Sequence, residues 1–380
     1  MPDTKLKVMI VAGEASGDLH AAKLVKAIRE VSREKEIEFF GAAGPRMRET
    51  GVVPIIRSDE LSIVGLIEIA RALPMFLDAF KKLKQAAAER KPDVAILVDF
   101  PDFNLKIARS LKKQGVKVVY YISPQIWAWR SYRLNTIKKY VDLMITILPF
   151  EADWYRSRGF EKVEYVGSPL ATEVSSDITP EDFCRDHGLD PYKELIALLP
   201  GSRTKEVARI LPVMLDAARH IEDSHSDIQF VVAAANDPLA RGIKELTGEH
   251  FKIIVGSTYD TLKAARGAAV ASGTATLEAA ILGTPMAIVY KTSTLNYSLL
   301  RPLISVEHFG LVNLIAGERV VREMIQHECT SEALADELLR LLKPDVNAQV
   351  REKLAITTDK LGHGGASKRA AEAILALISR

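Results

Sequence analysis

Short apolar runs alternate with longer amphipathic segments along most of this chain, and the apolar runs end in small or polar residues. Apolar runs of this length, bounded by turn residues, are typical of strands buried on both faces of a parallel sheet. The amphipathic segments between them have the spacing of crossover helices. The pattern therefore predicts an α/β fold made of doubly wound parallel sheets.

The runs fall into two series separated by a polar region. Strands of the first series are predicted at residues 7–12, 36–44, 94–98, 117–122, 143–150 and 163–169, and those of the second at 195–199, 228–234, 252–255, 267–271 and 285–290. Residues 171–191, with two prolines and several acids, have the composition of a connector between domains. We expect a first domain at 1–172, a second at 173–345, and helices at 346–380 that pack back on the first domain.

Composition narrows the class of protein. A chain of 380 residues is long enough for two cores, and its net charge of only +2 gives no electrostatic reason to expect nucleic acid. Two isolated cysteines, Cys184 and Cys329, form neither a disulfide framework nor a zinc motif, so no metal is expected. The start of the sequence enters a strand without a secretory signal, and no window has the apolar length of a membrane span, which predicts a cytoplasmic protein.

Two acids follow the predicted strand 94–98 within four residues. Asp99 comes directly after the strand, and Asp102 follows Phe100 and Pro101. Ligands of open α/β sheets bind at the carboxyl ends of the strands, so both acids are candidates for chemistry. Asp99 is the better candidate, because capping of a helix expected to begin near Leu105 explains Asp102 equally well.

Residues 61–84 contain more apolar side chains than one buried helix face needs. Pro74 should end or kink a helix there, and three lysines follow at 81, 82 and 84. One interpretation is an ordinary amphipathic pair of helices packed on the sheet. The other is a surface that contacts a bilayer through the apolar residues Ile63, Val64, Leu66, Ile67 and Phe76.

Two of the three tryptophans lie in one loop after the predicted strand 117–122. Trp127 and Trp129 are followed by Arg130. Such a cluster either recognises a sugar, a base or an acyl chain, or anchors the loop in the core. The sequence leaves both interpretations open.

Three further turns join a predicted strand to a helix. The loop at 13–18 is rich in small residues and either offers backbone N–H groups to a ligand or packs its helix closely on the sheet. In the second half, Arg203 sits at the start of a helix, where a guanidinium adds a phosphate donor. The loop that contains Ser272, Gly273, Thr274 and Thr276 predicts an anion site, and Glu278 one turn later is suited to ribose hydroxyls, as is the acid of dinucleotide-binding folds.

The motifs VAGEASGD (11–18), AGPRM (43–47), DFPDFN (99–104), SPQIWAWR (123–130), LPF (148–150), LPGSR (199–203) with Glu206, and ASGTATLE (271–278) occur in this order. Together they closely resemble the lipid-A-disaccharide synthases, the family-19 glycosyltransferases of lipid A assembly. The resemblance spans nearly the whole chain. It departs at Val312, where the family usually has proline before Asn313, a residue that either faces the cleft or bonds to the backbone of a turn.

The resemblance implies a GT-B fold, with two Rossmann-like domains whose parallel sheets face each other across a cleft. It also implies an inverting, metal-independent transfer from UDP-2,3-diacylglucosamine to the 6-hydroxyl of 2,3-diacylglucosamine 1-phosphate (lipid X), without a cofactor. Asp99 would be the general base, with Asp102 as the alternative. The implied supporting sets are Glu14, Ser16 and Asn313 in the catalytic site, Asp102, Trp127 and Arg130 around the acceptor, and Arg203, Glu206, Ser272, Gly273, Thr274, Thr276 and Glu278 on the donor.

The implied substrates carry acyl chains, which favours bilayer contact for residues 61–84 and a peripheral location on the inner membrane. A homodimer is also left open. Three other functions remain as alternatives: a UDP-GlcNAc 2-epimerase, a MurG-like transferase, and a nucleotide- or lipid-binding module without turnover.

Overall fold

The computed structural model describes residues 5–32, 36–60, 66–294, 297, 298, 301, 304 and 306–379. The chain forms two compact units. Met1–Pro169 and Gly364–Arg380 make up the first, and Leu170–His363 make up the second. Each unit is built on one parallel sheet, which confirms the predicted α/β fold class.

The first unit contains a seven-stranded sheet in the order β3-β2-β1-β4-β5-β6-β7. Its strands are β1 (Leu6–Ala12), β2 (Ile37–Ala43), β3 (Val53–Arg57), β4 (Val94–Val98), β5 (Lys117–Tyr121), β6 (Leu143–Thr146) and β7 (Val163–Tyr165). Its helices are α1 (Ala15–Val31), α2 (Pro45–Glu49), α3 (Leu66–Arg90), α4 (Pro101–Lys112), α5 (Leu134–Tyr140) and α6 (Glu151–Arg156). Neighbouring strands are parallel, and strand order reverses between β1 and β4.

The second unit contains a six-stranded sheet in the order β10-β9-β8-β11-β12-β13. Its strands are β8 (Glu194–Leu199), β9 (Ile228–Ala234), β10 (Lys252–Val255), β11 (Gly267–Ala271), β12 (Met286–Tyr290) and β13 (Glu323–Ile325). Its helices are α7 (Leu170–Glu173), α8 (Pro180–His187), α9 (Thr204–Glu222), α10 (Asp237–Thr247), α11 (Thr258–Ala264), α12 (Thr274–Ile281), α13 (Leu311–Ala316), α14 (Ser331–Leu342) and α15 (Pro344–Asp359). Here strand order reverses between β8 and β11.

The first sheet is buried on both faces, as its continuous apolar runs require. Alternate residues of β1 point to opposite sides, with Met9 in one core and Ile10 in the other. Leu83 of α3 packs in the same core as Met9. Helix α16 (Ala366–Ser379) packs beside α1 in the opposite core, where Ile374 is fully buried.

The segment predicted as a single C-terminal group of helices, 346–380, is divided between the units. Helix α15 packs against α12, α13 and α14 within the second unit. Only α16 joins the first unit, where Lys117 Nζ donates to the carbonyl oxygens of Leu377 and Ile378 at 2.9 and 3.3 Å. The buried faces of the two helices thus serve different cores.

Helix α3 runs through Pro74 without ending there, so of the two predicted outcomes only a kink remains. Ile63 and Val64 lie outside the described residues, and so do the side chains of Leu66 and Ile67. Phe76, the fifth predicted membrane residue, packs against Phe100 and Phe103 with ring centroids 6.1 and 6.4 Å away. The partly buried ring thus packs on the loop after β4 and the start of α4, and its bilayer contact stays a prediction.

Candidate active site

The strand-order reversal of the first sheet brings the loops after β1 and β4 together. Gly13, which follows β1, lies so close to the loop after β4 that a Cβ atom there would overlap the Phe100 ring. Asp99 and Phe100 both have left-handed backbones, with φ of 45° and 49°. Strained residues of this kind need support from their surroundings and are concentrated at functional sites.

Three hydrogen bonds hold this strained turn. Asn104 Nδ2 donates to the carbonyl oxygens of Val98 and Asp99 at 3.1 and 2.7 Å, and Tyr120 Oη donates to that of Asp99 at 2.6 Å. Both donors belong to buried residues. Neither was singled out from the sequence, although Asn104 belongs to the DFPDFN motif. Together they fix the backbone from which the Asp99 side chain projects.

The Asp99 carboxyl is mostly buried, and its environment makes it a stronger base. Burial is the main reason that its pKa rises from 3.8 to about 6, and the Glu14 carboxylate adds to the rise. The backbone N–H of Phe100 opposes it. A carboxylate with a pKa near the working pH is suited to proton abstraction. The structure thus brings Asp99 and Glu14 within electrostatic range, and Ser16 is exposed in the first turn of α1.

Asp18, the last residue of the first motif, has a structural role that was missed. Its carboxylate accepts hydrogen bonds from the backbone N–H groups of Gly44, Arg46 and Met47 at 2.9, 2.8 and 3.2 Å. It therefore caps the start of α2, which carries the second motif. An acid and a Gly-Pro turn in separate motifs are a signal of such a cap, but only the fold shows that they meet.

Asp102 does not cap α4, which corrects the interpretation made from the sequence. The helix begins earlier than expected, at Pro101, with Phe100 as its N-cap and no side-chain hydrogen bond to the cap. Proline suits the first helical position because its missing N–H is not needed there. Asp102 is 73% exposed and instead pairs with Arg133 and, at 3.3 Å, with Arg130.

The two tryptophans of the loop after β5 have different environments. Trp127 is 5% exposed, donates from Nε1 to Glu151 at 3.0 Å, and packs edge-on to Phe150 at 4.9 Å. It anchors the loop, which corrects its prediction as a ligand-contacting residue. Trp129 is 39% exposed and carries the Arg130 guanidinium over its ring at 4.1 Å.

A buried carboxyl lies beneath this loop and was not identified from the sequence. Glu151 also accepts from the Leu148 backbone N–H at 3.1 Å. Burial raises the pKa of Glu151 to about 7, against the lowering effect of the Trp127 hydrogen bond. Ser123 and Tyr155 extend the polar network, with their hydroxyl oxygens 2.9 Å apart. The LPF motif therefore positions the loop through the glutamate that follows it.

A cavity of about 310 Å³ lies at the strand-order reversal of the second sheet. Its lining comes from the ends of β8 and β11 and the helices that follow them, with Gly201, Ser202, Glu206, Ser272, Gly273, Thr274 and Glu278 among its residues. The N-termini of α9 and α12 carry free backbone donors and positive partial charge, which together favour an anion. Arg203 is the exposed N-cap residue of α9.

Two of the three hydroxyl groups in the loop of Ser272, Thr274 and Thr276 bond to the protein backbone. Ser272 Oγ donates to the Phe309 carbonyl at 3.2 Å, and buried Thr276 Oγ1 donates to the Gly273 carbonyl at 2.8 Å. Both hydroxyl groups thus donate to backbone carbonyls, which corrects the prediction that Ser272 and Thr276 serve the anion, whereas Thr274 is exposed on the cavity wall. Glu206 also bonds locally, since its Oε2 accepts from the Ser202 N–H at 3.3 Å.

Glu278 faces the same cavity and has a partner that was missed. Tyr259 Oη donates to Glu278 Oε1 at 3.3 Å. Burial raises the pKa of Glu278, and the Tyr259 hydrogen bond works against that rise. A carboxylate held in this way accepts hydrogen bonds from paired hydroxyls.

Asn313 is fully buried and serves the protein interior. Its Oδ1 accepts from the N–H groups of Val320 and Val321, and its Nδ2 donates to the Val321 carbonyl and to Glu323 at 2.9 and 2.8 Å. Glu323 in turn accepts from the N–H groups of Phe309 and Gly310. The four hydrogen bonds of Asn313 satisfy its side-chain amide. The prediction of Asn313 as a catalytic residue is therefore corrected in favour of the backbone-bonding alternative.

The described residues contain neither a cluster of metal-binding side chains nor a membrane-spanning helix. Across those ranges no cluster of three or more His, Cys, Asp or Glu side chains is placed to hold a metal ion. Nor does any helix of the described chain combine the length and apolar character needed to cross a bilayer.

Comparison with known proteins gives whole-chain matches. The family described as Lipid-A-disaccharide synthetase matches residues 8–378. A protein of Syntrophus aciditrophicus named lipid-A-disaccharide synthase is 46% identical over 378 residues, covering 98% of each chain. One of Geobacter sulfurreducens with the same name is 40% identical over 383 residues, covering 100% of this chain and 99% of its own.

Solved structures share the fold at much lower identity. A putative UDP-N-acetylglucosamine 2-epimerase from Listeria monocytogenes has a TM-score of 0.68 at 19% identity, with 99% and 97% of the two chains covered. The UDP-GlcNAc 2-epimerase from Neisseria meningitidis bound to UDP-GlcNAc has 0.66 at 14%, covering 98% and 100%. The calicheamicin glycosyltransferase CalG4 has 0.59 at 14%, covering 99% of each. These likenesses show the GT-B fold and do not favour an epimerase over the family match.

Proposed function

The chain belongs to the lipid-A-disaccharide synthetase family, and from that premise we propose that Asp99 is the base that activates the acceptor hydroxyl in its reaction. The proposed substrates are UDP-2,3-diacylglucosamine and 2,3-diacylglucosamine 1-phosphate (lipid X). The products are the β-linked disaccharide 1-phosphate and UDP. The observation that carries the assignment of the base is a mostly buried carboxyl with a pKa of about 6 at the strand-order reversal of the first sheet.

In the proposed step, the Asp99 carboxylate takes the proton of the acceptor 6-hydroxyl while that oxygen bonds to the anomeric carbon of the donor. The bond from this carbon to the UDP phosphate breaks with its electron pair, so configuration inverts and UDP leaves as an anion. Glu14 keeps the pKa of Asp99 high, which strengthens the base. Glu14 and Ser16 are exposed beside it and are suited to contacts with acceptor hydroxyls.

The leaving UDP is assigned to the second-unit cavity. Backbone N–H groups at the start of α12 and the Arg203 guanidinium offset the charge that develops on the phosphates. The pair of Glu278 and Tyr259 lies on the same unit and is suited to ribose hydroxyls. A volume of about 310 Å³ lies at the lower end of the range for ligand sites.

The test of this function uses purified protein, the UDP donor and radiolabelled lipid X. Wild type should form labelled disaccharide, and Asp99→Asn should abolish turnover while UDP binding stays within about twofold. Asp153→Asn is the matched control, because it removes an exposed acid of α6 in the same unit and should retain turnover. Loss of UDP-GlcNAc in the absence of any lipid acceptor would instead indicate an epimerase, and near-normal activity of Asp99→Asn would remove it as the base.

We also propose a peripheral location on the inner membrane. Both substrates carry acyl chains, and each CH₂ buried in an apolar environment stabilises membrane binding by roughly 0.8 kcal/mol. Ile63→Glu and Leu66→Glu should lower sedimentation with vesicles of zwitterionic and anionic phospholipid. Ile356→Glu, which changes an exposed apolar residue of the second unit, is the control. Equal vesicle binding by all variants would contradict contact through this segment, and sedimentation velocity of the same samples tests the homodimer.

A further inference from the structure

Two arginines converge on one carboxylate at the start of α4. Arg133 is mostly buried and contacts Asp102, and Arg130 approaches the same carboxylate from the loop after β5. Within the described part of the chain, Asp102 is the only carboxylate ion-paired with either arginine. Since guanidinium groups stay protonated, one carboxylate leaves this cluster with an excess charge of about +1.

Arg130 is the member of the cluster that is free to meet a ligand. Its Nη1 lies 3.3 and 3.5 Å from the two Asp102 oxygens, which are long distances for charged hydrogen bonds. Its backbone is left-handed, with φ of 56°, and its guanidinium carbon lies 4.1 Å from the centre of the Trp129 ring, a cation–π contact that does not use the N–H groups. A strained, partly exposed arginine in contact with a tryptophan ring is costly as a structural element and is typical of a binding site.

The cluster lies close to the proposed base along the chain. Asp99 and Asp102 are three residues apart, so their Cα atoms are separated by about 11 Å at most. The Tyr120 hydroxyl, which donates to the Asp99 carbonyl, is also within electrostatic range of Arg133, because Arg133 acts to lower its pKa. Glu14, which acts electrostatically on Asp99, repels anions, so a phosphate is favoured near the arginines and disfavoured near Glu14.

We propose that Arg130 and Arg133 bind the anomeric phosphate of the acceptor sugar and thereby hold its 6-hydroxyl at Asp99. In a hexose 1-phosphate, C1 and C5 flank the ring oxygen, so the 1-phosphate and the 6-hydroxyl lie within one ring's width of each other, and the closeness of Asp99 and Asp102 in the chain lets one sugar reach both. Asp102 keeps Arg133 in place, and Arg130, with the longer contacts, turns its fork to the phosphate. This assignment rests on the proposed function, which supplies an acceptor with a 1-phosphate.

The experiment compares two acceptors, lipid X and the same diacylglucosamine without its phosphate, and measures kcat/KM for each. Wild type should prefer lipid X, and Arg130→Gln should reduce that preference about tenfold to a hundredfold, the range of a charged hydrogen bond. Arg130→Lys keeps the charge but loses the planar fork, so its preference for lipid X should lie between those of wild type and Arg130→Gln. Arg158→Gln is the matched control, because Arg158 also stacks on a tryptophan of the first unit, at 4.2 Å from Trp154.

Several results would overturn the proposal. One is an equal loss of kcat/KM for both acceptors in Arg130→Gln, since Arg130 would then only hold the loop. Another is turnover of lipid X by Arg130→Gln at the wild-type kcat/KM. A wild type that does not distinguish the two acceptors would also exclude it. Failure of the proposed function looks different, because wild type would then form no disaccharide from lipid X at all.

Discussion

Replacement of Asp99 by asparagine should stabilise the first unit while it abolishes turnover. The charged form of Asp99 is disfavoured by burial and by Glu14, and the difference between its ordinary pKa of 3.8 and about 6 corresponds to about 3 kcal/mol. Asparagine carries no charge, fits the site by shape and tolerates the left-handed backbone at φ 45°. Because its amide stays mostly buried, we expect a gain of about 1–3 kcal/mol in the free energy of unfolding.

The gain should depend on pH in a defined direction. A folded-state pKa above the unfolded value means that the folded protein holds the proton more tightly, so this residue does not oppose folding below pH 4. Between pH 4 and 6 the unfolded chain loses its proton first, and wild-type stability falls. Above pH 6 the whole penalty is present. The advantage of Asp99→Asn should therefore be large at pH 7.5 and small near pH 4.

Thermal and urea unfolding of the first unit, followed at both pH values, measures this effect. For a unit of this size the gain at pH 7.5 corresponds to about 2–12 °C in Tm. Asp102→Asn is the control, because Asp102 is exposed and paired with two arginines, so its removal should cost up to about 1 kcal/mol. The reasoning is refuted if Asp99→Asn is no more stable than wild type at pH 7.5, or if its advantage is as large at pH 4.

Three further changes have defined outcomes. Glu14→Gln should lower the pKa of Asp99, so the acid limb of the kcat/KM profile moves to lower pH; an unchanged limb would show that Glu14 does not act on the base. Arg203→Ala should weaken UDP binding by about 1.5–3 kcal/mol in calorimetry, and unchanged affinity would remove its phosphate role. Gly13→Ala should lower the free energy of unfolding by about 1–3 kcal/mol, because the new methyl group overlaps the Phe100 ring.

Matched substitutions separate these effects from general damage. Arg209→Ala removes another exposed arginine of α9 and should leave UDP affinity unchanged. Gly242→Ala adds a methyl group inside α10 where no atom lies within 4 Å, and it should stabilise the second unit slightly because alanine favours helix. A loss of stability in Gly242→Ala equal to that in Gly13→Ala would refute the argument from close approach.

The sequence predicted the central strands well because burial on both faces leaves an uninterrupted apolar run. Residues 228–234, 252–255 and 267–271 were placed with the bounds that the structure has. Two strands at sheet edges, β3 and β13, were missed. Pro54 interrupts β3, which an edge strand tolerates at a bulge, and β13 has only three residues and begins with the buried Glu323.

Candidate residues could be located from the sequence, but their partners could not. Chain order places Asp99, Arg203 and the Ser272 loop at the carboxyl ends of parallel strands, where ligands bind. A hydroxyl or amide in such a loop bonds equally well to a ligand or to nearby backbone, as Thr276 and Asn313 do here. Only three-dimensional placement distinguishes the two, and the same holds for the arginines around Asp102.

The division of the first unit between residues 1–169 and 364–380 sets an order on its synthesis. A ribosome completes the whole second unit before it makes α16, whose buried Ala370, Ala371 and Ile374 belong to the core beside α1. Until then, that face of the nascent sheet and α1 remains uncovered and is a binding surface for chaperones. A message cut short between the end of the second unit and α16 thus yields a protein with a complete second unit and an unfinished first unit, which marks the truncated product for degradation.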